Sequence, residues 1–115
     1  MHMIAIDYNT VRFNLTEAIR NLELLKEYMI SKNRDTQYVS EIDYWLSSLD
    51  LLRNCLYGCK DRYDGQLDLY ASIKEIKSEI TNFIVVIKDF KVQELNRLDA
   101  IWSLLIKIEK LLKRT

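Results

Sequence analysis

Proline is absent from this 115-residue chain, and glycine occurs only at Gly58 and Gly65. Sandwiches, barrels and Gly-rich phosphate loops depend on both residues for their turns, so these architectures and the nucleotide motifs built on them are excluded. Histidine occurs once, as His2, so the chain has no Glu-x-x-His pair for a di-metal carboxylate bundle and no internal His base for a Ser or Cys nucleophile. Cysteine occurs twice, at Cys55 and Cys59. Four residues apart on a helix, the two thiols would share a face, but a closed zinc site needs about four Cys, His or acidic ligands, and the set is incomplete. The pair reads as reduced, partly buried thiols. The expectation is therefore no catalytic residue, no cofactor and no metal.

Charge of one sign is also missing: 17 basic residues balance 17 acidic ones. No global field draws the chain to nucleic acid or to an anionic membrane. The longest apolar run is Phe83 to Ile87, far short of the ~20 residues that span a bilayer. The first residues lack the basic stretch and long apolar stretch of a secretory signal, so the cytoplasm is the expected location.

What the chain does contain is 49% apolar and 30% charged residues, the balance of a globular protein that buries a core and stays soluble. Its length suits one domain over 1–115. Val11, Leu15, Ala18, Leu22, Leu25 and Met29 recur at alternating steps of four and three, which predicts a helix over about 10–32 with Asn9 or Thr10 as its cap. Tyr38, Ile42, Trp45, Leu49, Leu52 and Leu56 predict a second over about 36–57, capped by Asp35 or Thr36. Gly58 then suits a left-handed helix end, and Asp64-Gly65 a turn.

Leu69, Ile73, Ile76, Ile80, Phe83, Ile87 and Phe90 predict a third helix over about 66–90. The fourth segment, running to about 113, carries one stripe through Leu95, Leu98, Trp102, Leu105 and Leu112 and a second through Ile101, Leu104, Ile108 and Leu111. Nothing between Asp89 and Asn96 breaks a helix, although continuing the third stripe would turn Glu94 and Arg97 inward. The predicted fold is an all-α antiparallel up-down four-helix bundle, with helices three and four fused into one long helix as the other possibility.

Bundles host many unrelated activities, so function is argued from residues. The all-round apolar patch and the wide fourth stripe exceed what one helix face buries. They predict a non-enzymatic protein-protein interaction module: a small inhibitor, an immunity-type protein, an adaptor or an assembly subunit, self-associating as a homodimer. Its expected interface is Phe83, Ile84, Val86, Ile87, Ile101, Trp102, Leu104 and Ile108. The alternative is nucleic-acid binding through a basic end at Lys107, Lys110, Lys113 and Arg114, with Lys88, Lys91 and Arg97 as further contacts; balanced charge counts against it. Glu75 and Glu79 beside Lys74 and Lys77 read as a solvated face of opposite charges. Tyr44, Tyr57, Tyr63 and Tyr70 lie off the stripes and could form an aromatic end of the bundle.

Overall fold

The computed structural model describes the backbone of residues 7–58, 63–86 and 89–112, and their side chains apart from 57, 58 and 63–68. It is an all-α four-helix bundle: α1 (Tyr8–Ser31), α2 (Thr36–Gly58), α3 (Tyr63–Val86) and α4 (Val92–Leu112). No helix among the described residues is long and apolar enough to cross a membrane.

The α1 stripe is buried without remainder, with Val11, Leu15, Ala18, Leu22, Leu25 and Met29 all at zero exposure. The helix is capped two to three residues earlier than expected, by Asp7. The Asp7 carboxylate accepts from Thr10 N (3.1 Å) and from Thr10 Oγ1 (2.6 Å), and these bonds hold its pKa below the ordinary carboxylate value. At the other end Asn33 takes the left-handed conformation (φ 54°). Asn33 N–H donates to the Ile30 carbonyl (3.1 Å) and Arg34 N–H to the Met29 carbonyl (2.9 Å), the paired bonds of a Schellman ending. Asp35 then caps α2, its side chain accepting from Gln37 N at 2.9 Å.

Every neighbouring pair runs antiparallel. Thr16 and Lys26 of α1 meet Arg53 and Asp43 of α2 respectively, with Lys26 Nζ 2.6 Å from Asp43. Trp102 Nε1 of α4 donates to Thr81 Oγ1 of α3 (3.1 Å), and Lys77 pairs with Glu109 at 2.6 Å. Arg97 of α4 donates to the Asn21 side chain of α1 at 3.0 Å. The ring of helices is closed most extensively between α1 and α4 and least between α2 and α3.

Helices three and four are separate. Helix α3 is described to Val86 and α4 begins at Val92, with Asp89, Phe90 and Lys91 outside either helix. Arg34 fixes this corner: its guanidinium lies 3.1 Å from Asp89 and 3.0 Å from Glu94. It also sits over the Tyr38 ring, 5.2 Å from the centroid. Glu94, fully buried, uses its second oxygen to accept from Lys91 N at 2.9 Å, the reach-back bond that begins α4. The inward turn of Glu94 is thus real, and pairing is what makes it tolerable.

Several details differ from the sequence expectation. Asp64 and Gly65 lie inside α3 rather than in a turn, and Gly58 is helical; no described glycine has positive φ. Phe90 is not helical but packs back onto Phe83 (centroids 5.2 Å apart) and Tyr38 (6.3 Å). In α4 the buried stripe is Leu98, Ile101, Leu105, Ile108 and Leu112, so Leu95 is pushed out and Trp102 is only partly covered.

Candidate protein-docking surface

The eight residues expected to form an interface do not make one surface. Ile101 and Ile108 are fully buried between the helices, where no partner reaches them in this fold. Phe83, Ile84, Trp102 and Leu104 are half-buried against the same core. Phe83 stands edge-on to Trp45 (5.2 Å) and Tyr38 (5.9 Å), and Trp102 is tied to Thr81 and lies 5.7 Å from Lys77 Nζ. Val86 alone is strongly exposed, at 76%, and Ile87 lies outside the described residues. Much of the apolar surface that suggested a dimer packs within the chain, where α3 folds back onto α4, while Val85 (66%) and Val86 remain exposed.

The other candidates scatter as well. Lys107 and Lys110 are exposed on α4, as are Lys91 and Arg97 near its start, while Lys88, Lys113 and Arg114 fall outside the described residues. Helix α4 itself is neutral, with three bases against three acids. Cys55 is half-buried and Cys59 lies outside the described residues. Among the described residues no group of three or more His, Cys, Asp and Glu could hold a metal. Tyr44 is exposed and Tyr70 half-buried; the side chains of Tyr57 and Tyr63 are outside the description.

A different face emerges from the seam between α2 and α3. The α1 side of α2 is marked by Asp43 and Arg53, and the α4 side of α3 by Lys77 and Thr81. At 100° per residue, the opposite flanks hold Glu41, Tyr44, Ser48 and Leu51 on α2, and Glu75, Glu79 and Val86 on α3. These flanks face each other; Phe83 of α3 meets Tyr38 and Trp45 of α2 across the seam, while Tyr44 (52%), Leu51 (70%) and Val86 stay in solvent. None of the three glutamates takes part in an ion pair among the described residues, and neither flank carries a lysine or arginine. Of the group expected as a solvated face, Lys74 and Glu75 are exposed and Glu79 is half-buried, while Lys77 pairs with Glu109.

Glu79 is the least comfortable of them. Its Oε2 is buried without a hydrogen-bond partner, and so is the Trp45 Nε1 beside it. Burial pushes the Glu79 pKa up, the charges of Glu75 and Glu41 push the same way, and the neighbouring indole N–H holds the rise back. An acid whose pKa is raised on folding contributes stability that is complete below its unfolded value and lost as pH rises through the folded one. Glu79→Gln is therefore expected to raise the melting temperature at pH 7 by about 3 °C, on the order of 0.5–1 kcal/mol, with the gain vanishing near pH 4. Thermal denaturation followed by circular dichroism at both pH values checks it; an equal gain at pH 4 would assign the effect to packing.

The charge of the whole chain conceals this asymmetry. Helix α2 holds three acids against one base and α3 four against two, a net −4 for the pair, whereas α1 and α4 each balance three against three. No protein-family model, curated protein or solved structure matches this chain.

Proposed function

We propose that this chain is a non-enzymatic protein-binding module, of the kind used as a small inhibitor, immunity-type protein, adaptor or assembly subunit, acting in the cytoplasm. The observation that supports the reading is the apolar surface left on the facing flanks of α2 and α3, where Tyr44 (52%), Leu51 (70%) and Val86 (76%) are exposed. Apolar side chains exposed in a line beside polar ones are what interfaces use as anchors. Self-association is set aside, because a two-fold dimer through this face would bring its acidic helices together.

The test is capture from source cells with nuclease treatment, comparing the wild type with Leu51→Glu. Leu51 is 70% exposed, so the change leaves the core intact. A stoichiometric protein retained by the wild type and lost with Leu51→Glu, from a bait that is itself monomeric in sedimentation, supports the reading. Retention by both forms moves the interface elsewhere, and recovery of nucleic acid alone returns the basic end of α4 to first place.

A further inference from the structure

Across the ring from the α2–α3 flanks, the seam between α1 and α4 carries a groove of about 710 Å³. Its α1 wall follows one helical stripe from Asn21 to Ser31, about 15 Å along the axis. Its α4 wall carries Gln93, Asn96, Arg97 and Ala100, all exposed. Arg97 is held in place here without being neutralised. Its Nη1 donates to the Asn21 carboxamide oxygen (3.0 Å), and the Asn21 amide nitrogen is itself anchored on the Glu17 carbonyl (2.8 Å). Arg34 and Arg53 pair with carboxylates, whereas Arg97 makes no ion pair among the described residues. Ala100, one turn on along the same face, adds only a methyl group to the wall and leaves room beside the guanidinium.

We infer that this groove binds an extended segment of another protein that carries a carboxylate, with the carboxylate on Arg97 and the backbone on Gln93 and Asn96. The side chains of Gln93 and Asn96 make no hydrogen bond among the described residues. A carboxamide offers a donor and an acceptor together and so matches a peptide group in both. A helical ligand has spent its backbone groups internally, whereas an extended one presents them to the walls. Four to five extended residues, at about 3.3 Å each, cover the length of the groove. Leu24 and the half-buried Tyr28 supply apolar contact, and Lys32 adds a second positive charge with its ammonium 5.8 Å from the Tyr28 ring centre. Glu27, the one acid of the lining, stands about 9 Å along α1 from Asn21. That is roughly a Debye length at physiological salt, so Glu27 steers the incoming carboxylate to the Asn21 end without cancelling Arg97. A nucleic acid would need a run of cations that the lining lacks.

The side-chain NH2 signals of Gln93 and Asn96 report directly on the site in a 1H–15N correlation spectrum of the full chain, assigned with Gln93→Ala and Asn96→Ala. The probe is the capped peptide acetyl-Ala-Leu-Glu-Ala-Ala-amide, and the control carries glutamine in place of glutamate. Recognition by backbone and one carboxylate makes the remaining side chains secondary, so a simple sequence suffices. The glutamate peptide is expected to shift both NH2 pairs saturably and, at low salt, to bind about fivefold more tightly than the control. That advantage is expected to disappear in Arg97→Gln. Ala100→Leu, which fills the groove and leaves Arg97 in place, is expected to weaken both peptides about tenfold. Both positions are exposed, so the fold survives either change.

The absence of a saturable shift at Gln93 and Asn96 at millimolar peptide overturns the site. Equal affinity for the two peptides, or an advantage that survives Arg97→Gln, overturns the carboxylate assignment. Binding of N-acetylglutamate amide as tight as that of the peptide overturns the extended-segment assignment in favour of a small carboxylate. The site uses no residue of the α2–α3 flanks, and Leu51→Glu is expected to bind the probe as the wild type does. Failure of partner capture through Leu51 therefore leaves this inference standing, and failure of the peptide to bind leaves the α2–α3 reading standing.

Discussion

Arg34→Met is expected to destabilise the protein by about 3 kcal/mol or more. The cause is what it leaves behind. Glu94 is fully buried, and Arg34 is the one cation paired with it among the described residues. Removing one member of such a pair strands a charge out of water, which typically costs 3–5 kcal/mol, whereas replacing both by apolar groups is often close to neutral. The same guanidinium holds Asp89, whose pKa its hydrogen bond lowers, and so fixes the corner between α3 and α4. Urea denaturation should show the loss in Arg34→Met and substantial recovery in Arg34→Met/Glu94→Leu. If the double variant is no more stable than the single one, the reach-back bond from Glu94 to Lys91 N, rather than the stranded charge, carries the energy.

Ile101→Ala should cost about 2–4 kcal/mol, and Leu95→Ala less than about 1 kcal/mol. Ile101 is completely buried and a cavity remains when its side chain is removed, while Leu95 is 38% exposed at the start of α4. The comparison reads out the rotation of α4 directly. Equal losses would mean that α4 turns its other stripe to the core, and the Trp102–Thr81 bond would then not form in solution.

That rotation is also where sequence reasoning lost its grip. In α1 a single apolar stripe is flanked by charges, so periodicity alone identifies six of the eight residues that become buried, missing Asn14 and Ile19. In α4 two adjacent stripes are apolar, and periodicity offers no means of choosing between them. The choice falls to α3, whose Thr81 and Lys77 take up Trp102 and Glu109. The break between α3 and α4 was equally hidden, because no proline or glycine marks it. It depends on Arg34, 55 residues before Asp89, and such a contact has no local signature.

The interface expectation failed for a related reason. It assumed that apolar surplus on two consecutive helices is surplus for the molecule, whereas two wide faces folded together cover one another. The signal that did point to the α2–α3 face was present in the sequence as charge per helix rather than charge per chain. Counting the three acids of α2 and the four of α3 against Arg53, Lys74 and Lys77 would have revealed an acidic pair of helices under a neutral total. What no count could supply is that Glu79 ends up half-buried beside Trp45, since this depends on how α3 is rotated.

The most extensive seam of the bundle joins α1 to α4, the first and last of its helices, and this sets the order of events on the ribosome. When α1, α2 and α3 have left the exit tunnel, Leu15, Leu22 and Met29 still face a missing wall. The nascent chain then carries α1 and α2 together with α3, whose Phe83 meets Tyr38 and Trp45 of α2 but whose α4 side is still uncovered. Closure waits for Leu98 and Ile101, so the protein is completed late and in one step, and a chain truncated before α4 presents its core to whatever chaperone is nearest.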